Sequence, residues 1–129
     1  RAIIFRELET SSLLKVKGWN INLGNQNIWE LDIFSLDSFI ILTDLKLLPS
    51  KLSGTGEILL GPNLEIEDLS LSGNYEVTVP KDLSILVKGQ AQVPDQWLNA
   101  SVGNLNNPDK TYTVVIEIID GSQVIFKDG

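Results

Sequence analysis

The sequence predicts an all-β fold, and three observations carry that prediction. Val, Ile, Leu, Thr, Tyr and Phe alternate with polar residues at a period of two through most of the chain. Gly, Pro, Asn and Asp cluster between these runs, where chain reversals need them. A turn or small residue followed by an alternating run recurs at Gly18, Asp37, Gly56, Gly73, Gly89, Gly103 and Gly121, a loose but sustained repeat.

Taken in order, the alternation places strands near Leu13–Lys17, Asn20–Leu23, Trp29–Phe34, Ser38–Thr43, Leu52–Leu60 and Leu64–Leu71. It continues through Tyr75–Val79, Leu83–Lys88, Gln90–Val93, Thr111–Ile119 and Gln123–Phe126. Two segments suggest a helix: Ile3–Leu14, with apolar residues at 4, 5 and 8, and Asp95–Val102, which opens like a capped turn. Alternation resumes in the second as Leu98, Ala100, Val102, so at most one short helical turn is expected.

The stretch "GNYEVTVPKDLSILVKGQAQVP", residues 73–94, shows how glycine is used. Along Leu69–Val79, Gly73 falls in phase with the apolar positions, and along Leu83–Val93 so does Gly89. A glycine on the inward face of a strand marks a bend or a close backbone approach. Gly54 and Gly56 repeat the arrangement between Leu52 and Ile58. Two architectures satisfy this. One is a β-solenoid-like stack of short, glycine-cornered rungs. The other is a bent antiparallel meander in which "VPKDL" is a hairpin turn and Gly73 faces Gly89, forming an orthogonal sandwich or a partly open barrel. Spacing alone leaves both open.

The 129 residues suit a single domain, 1–129, long enough to bury roughly two-thirds of its unfolded surface. The hydrophobic fraction of 43% fits a globular chain, and the longest apolar runs, such as Phe39–Leu42, are far too short for a membrane-spanning helix. The chain begins at Arg1, which suggests a piece excised from a longer protein, with any anchor or targeting segment outside it. A net charge of −7 and a pI near 4.4, without a basic stripe, argue against nucleic acid and against an anionic bilayer as partners. The chain has no cysteine, hence neither disulfide nor thiol nucleophile.

The residues "GNYEVTVPKDLSILVKG" resemble the repeat of adhesin-type and toast-rack domains of bacterial envelope proteins, including the soluble part of membrane-anchored cell-wall stress regulators. The resemblance covers Leu52–Gly129, and the closing "TYTVVIEIIDGSQVIFKDG" fits the way such domains end. It implies a β-solenoid-like domain in the cell envelope, reaching the membrane only through a segment outside this chain, with no catalytic residues to transfer. Trp19, Trp29 and Trp97 have no counterpart in that pattern.

Catalytic chemistry finds little support. Histidine is absent, which removes the commonest general base and the usual zinc ligand. "GTGEILLG" lacks the Lys-Ser/Thr of a phosphate loop. Glu65 and Glu67 share one face of a strand, as a glycosidase pair would, but exposed strand carboxylates that discourage edge pairing are the simpler explanation. "NLNNPDK", 104–110, offers oxygen ligands without the twelve-residue calcium pattern and reads as a surface loop, and the Asn99-Ala100-Ser101 sequon carries no weight. No catalytic, cofactor-binding or metal residue is assigned, and no cofactor is expected.

The candidate contact residues are Trp19, Trp29, Trp97, Val124 and Phe126. Tryptophans among Asn and Gln suit a carbohydrate or protein, although plugging the ends of the β-core is the commoner use. Val124 and Phe126 lie on a terminal strand, Gln123–Phe126, which is expected to be an open edge that self-associates as a two-fold dimer or accepts a partner by strand addition, unless the N-terminal segment caps the stack. The leading expectation is therefore a non-enzymatic scaffold or protein-interaction domain of a bacterial envelope protein. A lipid or small apolar ligand-binding β domain, with "LTDLKLLPSKL" as a greasy lip, is one alternative. A carbohydrate-binding module built on the tryptophans is another.

Overall fold

A computed structural model of the chain describes residues 2–6, 28–80, 83–95 and 112–129, the first of these as backbone only. The described residues are all β: β1 (Ala2–Arg6), β2 (Ile28–Leu42), β3 (Lys46–Leu47), β4 (Ser50–Leu60), β5 (Glu65–Val79), β6 (Ile85–Lys88), β7 (Val114–Ile118) and β8 (Gln123–Asp128). Two predicted pairs of strands are single long ones. Trp29–Phe34 and Ser38–Thr43 join in β2, and Leu64–Leu71 and Tyr75–Val79 join in β5. The segment 90–93 contributes only a bridge at Gln92. The helix suggested at Ile3–Leu14 is overturned at its start, because Ala2–Arg6 pairs with Glu30–Phe34 as β1. The rest of it lies outside the described residues, as do Asp95–Val102 beyond Asp95 and the strands expected at 13–17 and 20–23.

Every pairing among the described residues is parallel. The β2–β3, β3–β5, β5–β4 and β4–β2 pairings close a four-strand ring, and β1, β6, β7 and β8 add to it. The register explains how. Ile28 pairs with Lys46 and Lys46 with Glu65, and then Asp32 pairs with Lys51 and Lys51 with Ser70. Each stretch thus lies beside the one 18 or 19 residues further along the chain, ample for the crossover that parallel neighbours require. The closed ring suits the barrel form of the alternative fold, but the antiparallel pairing expected for it does not occur. "VPKDL" is no hairpin turn, since β5 and β6 are not neighbours, and Gly73 pairs with Gly54 rather than Gly89.

The core is built from columns of inward residues one strand apart. Trp29, Leu47, Ile66, Val114 and Ile85 form one, and Ile33, Leu52, Leu71 and Ile118 another. Ile58, Val77 and Phe126 continue the pattern beyond the bend. Burying one aliphatic side chain contributes roughly 1.5–3 kcal/mol, so these columns dominate the stability. The leucines of "LTDLKLLPSKL" other than Leu48 belong to the core as well. Leu45, Leu47 and Leu52 are all buried, and the lip expected of a lipid binder does not form from them. Ser50 is the buried exception. Its hydroxyl accepts from the Leu31 amide at 3.0 Å and donates to the Leu48 carbonyl at 2.7 Å, holding the bend at Leu48–Pro49.

The glycine corner is real, but its cause differs from the one expected. Gly54 and Gly73 pair directly, with φ of +120° and +124°. A Cβ on Gly73 would lie 1.9 Å from the Gly54 carbonyl oxygen, and one on Gly54 would lie 1.8 Å from that of Ser35. The excluded volume is therefore the backbone of the adjacent strand rather than the core interior. Gly89 departs further from expectation, being exposed rather than buried. A second corner is made by Asp44 and Asn63, both left-handed, with φ of 53° and 58°. Asn63 Nδ2 donates to Asp44 Oδ1 at 2.8 Å, and the Asp44 amide donates to the Pro62 carbonyl at 3.0 Å. Asn and Asp tolerate this conformation because their side chains satisfy it locally.

Candidate functional site

The bend that starts at Gly54 and Gly73 also shapes the outer surface. Just past it, Asp37, Thr55, Asn74 and Gln123 come to neighbouring strands, followed by the outward column Phe39, Glu57, Glu76 and Ile125. The irregularity in β2 between Ser35 and Ser38 turns Asp37 outward with φ of 51°. Its amide donates to Thr55 Oγ1 at 2.9 Å, and Ser38 Oγ donates to the Thr55 carbonyl at 3.0 Å. Most of these residues line an open groove of about 520 Å³.

Across the strands the groove carries carboxylates in the middle, at Glu57 and Glu76, and apolar residues at either end, Phe39 and Ile125. Asp37, Glu57 and Glu76 supply carboxylates, and Asn74 and Gln123 supply amides. Glu76 forms an ion pair with Lys127. Phe39 is 53% exposed, and beside it Ile41 and its register partner Leu59 are 55% and 36% exposed. An outward phenylalanine and two aliphatic residues on adjacent strands make a contiguous apolar patch with carboxylates on its border.

Tyr75 also lines the groove, from the core side. Its column runs from Gly56 through Tyr75 to Val124, so its smallest and largest members are adjacent. The side chain is buried and its hydroxyl has no hydrogen-bond partner, and this burial raises the phenol's pKa well above the usual tyrosine value.

The five residues expected to touch a partner do not come together. Val124 and Phe126 are each 2% exposed and face the core. Their strand is not an open edge. β8 pairs with β5 along Asn74–Val79, and on its other side Gln92 donates to the Val124 carbonyl at 3.0 Å and accepts from the Phe126 amide at 2.8 Å. Direct contact through Val124 or Phe126 is corrected accordingly. Trp29 is half-buried against the core, as a plug would be, and Trp19 and Trp97 lie outside the described residues. Glu65 and Glu67 are exposed as expected but lie on a central strand, where Glu65 pairs with Lys46 at 3.5 Å. The segments 104–110 and 99–101 lie outside the described residues.

Sequence reading missed Phe39, Ile41 and Leu59, because the unbroken apolar runs "FIIL" and "ILL" do not mark which residues face outward. Their parity was the available signal: Phe39 and Ile41 are out of phase with Ile40 and Leu42. Among the described residues no cluster of three or more potential metal ligands forms, and no helix is long and apolar enough to cross a membrane. The chain matches no known protein family, no curated protein and no solved structure.

Proposed function

We propose that this chain is a non-enzymatic interaction domain of a bacterial envelope protein, built as a β-solenoid-like stack of glycine-cornered rungs. In this reading it binds another protein through the outer face bearing Phe39, Ile41 and Leu59. The parallel register, in which each stretch lies beside the next repeat, supports the solenoid reading, and the "GNYEVTVPKDLSILVKG" resemblance supports the envelope setting. The observation that carries the function is the exposed apolar patch, since such patches mark interaction sites when polar residues rim them. The rim here is Asp37, Glu57 and Glu76, and the chain's net charge is −7. The partner surface that fits is an apolar protein patch surrounded by Lys and Arg. A photo-crosslinking residue in place of Leu59 tests this in envelope extracts. A discrete protein adduct is expected, lost in the Phe39→Glu/Ile41→Glu double variant and weakened by salt. No adduct, or one indifferent to the double variant, rejects the reading.

The groove favours carbohydrate binding as a second reading. Carboxylates and amides can hold vicinal hydroxyls while the Phe39 ring covers an apolar sugar face. This version uses Phe39 in place of the tryptophans. Calorimetric titration with a panel of soluble glucans and chitin oligosaccharides tests it: heat of binding is expected that Phe39→Ala abolishes. A flat titration across the panel removes it.

A further inference from the structure

The order of strands in space does not follow their order in the chain. Residues 112–129 lie between β5 and the stretch 84–93, although they come after both in sequence. The backbone is paired on both flanks. On the β5 side, Ile66 N donates to the Thr113 carbonyl at 2.8 Å, Ile119 N to that of Leu71 at 3.0 Å and Gly129 N to that of Val79 at 2.8 Å. On the other side, β7 pairs with Ile85–Lys88 and β8 exchanges two bonds with Gln92.

The same segment supplies five core side chains. Val114, Ile116, Ile118, Val124 and Phe126 are 0–5% exposed, and they alternate along two extended stretches, β7 and β8, joined by a turn at Asp120–Gly121. That is the form of a donated strand: main-chain bonds provide affinity, and alternate side chains in pockets provide register. The slot it fills can also close without it. Leu47, Ile66 and Ile85 are evenly spaced along the chain, so its period would set Ile85 directly beside Ile66, as Ile66 is set beside Leu47. Instead Val114 stands between them. If residues 112–129 withdraw, the stretch 84–93 can move one strand over and present the same inward residue to β5, which limits the apolar surface left in water.

We propose that residues 112–129 are an exchangeable donor strand, and that the slot between β5 and β6 accepts this segment from a second copy of the chain. Sixteen residues, 96–111, connect the segment to the rest of the fold. A connection of that many residues sets an effective concentration on the order of 1 mM. Self-insertion therefore dominates at micromolar protein, and exchange between chains competes near millimolar protein. This inference is independent of the Phe39 face.

Engineered cysteines test it cleanly, because the chain has none of its own. Thr78 and Lys127 are register partners on β5 and β8 with outward side chains, so Thr78→Cys/Lys127→Cys places a trap across the slot. The full-length variant is refolded over a series of concentrations and then oxidised. At micromolar protein, cross-linked monomer is expected. Near millimolar protein, a rising share of covalent dimer is expected, with position 78 of one chain joined to position 127 of the other in peptide maps. Only intrachain links at every concentration, or dimers joined 78 to 78 or 127 to 127, overturn the proposal. A second measurement needs no variant of the chain. The unaltered protein is refolded with a millimolar excess of fluorescent peptide 112–129, and retention of about one peptide per chain is expected. The same peptide with Ile116→Asp and Phe126→Asp is expected to be rejected. Retention of neither peptide, or of both alike, overturns the proposal.

Discussion

At position 75 the fold buries a phenol whose hydroxyl bonds to nothing. A buried hydroxyl without a partner costs roughly 1–3 kcal/mol. Tyr75→Phe keeps the ring and removes the orphan, so unfolding free energy is expected to stay level or rise by about 1 kcal/mol in denaturant melts. The pH dependence has a definite sign. Below about pH 10 both folded and unfolded states hold the phenolic proton, and it contributes no slope. Above that the unfolded chain releases its proton while the folded one retains it, so stability falls as pH rises. Wild type is expected to lose stability between pH 10 and 11 more steeply than Tyr75→Phe. Parallel curves would show that the phenol is hydrated in the folded state. Gly73 makes the opposite case. Gly73→Ala combines a positive φ with a backbone overlap at Gly54, and a loss of at least about 1–3 kcal/mol is expected. Here sequence phase located the residue correctly and misassigned its cause. Phase reveals which way a residue faces, whereas the obstruction comes from the neighbouring strand, at Gly54.

Among the elements, the strands were legible and their direction was not. Parallel sheets are usually covered on both faces and read as unbroken apolar runs, while clean alternation is the habit of antiparallel sheets with one wet face. β5 alternates almost throughout and is nonetheless parallel to all its neighbours, because one face packs on the core and the other meets water. The turn chemistry did not help either. "VPKDL" contains the residues of a hairpin, yet the strands on either side of it, β5 and β6, are not neighbours. A stronger signal for the period was present in Asp44-Leu45, Asn63-Leu64 and Asp82-Leu83, which recur at equal intervals. The glycines blurred it, because Gly56 and Gly73 occupy different places in the register, one beside Tyr75 and the other beside Gly54. β3 escaped notice because two residues are too few for alternation to show. The site was less legible than the fold. Phe39 and Ile41 sat inside an unbroken apolar run in which no alternation marks the outward face, and the burial of Val124 and Phe126 depended on a strand order that nothing local encodes. β7 and β8 allow a direct comparison of inward and outward positions. Ile116→Ala, at a fully buried position, is expected to cost about 2–5 kcal/mol. Ile125→Ser, 42% exposed on the neighbouring strand, is expected to stay within about 0.5 kcal/mol. Chemical denaturation of the two variants checks the inward and outward assignment of the whole segment.

For the molecule as a whole, stability is distributed by the number of paired strands. β5 is paired by β3 and β4 on one flank and by β7 and β8 on the other, and its inward side chains reach 0% exposure at Leu69, Leu71 and Val77. Among the described residues β1 and β6 each pair with a single strand. Opening β5 must break two ladders, while releasing β6 breaks one short one. Amide exchange is governed by such openings, which range from almost free at the margins to the full unfolding energy at the centre. The slowest amides are therefore expected in Leu69–Val79 and in the second half of β4, and exchange in Ile85–Lys88 is expected to be at least tenfold faster. The donor segment sharpens this expectation. If residues 112–129 leave as a unit, the amides of β7 and β8 share one opening energy, below that of β5, and the amides of β6 that bond to β7 open with them or sooner. A pulse of deuterium read by peptide mass separates these schemes. Uniform protection across β5, β7 and β6 would mean one cooperative unit with no separable strand. A common, intermediate rate over 114–128, with the β5 amides that bond to β3 and β4 still protected, is the pattern that spatial order without sequence order requires.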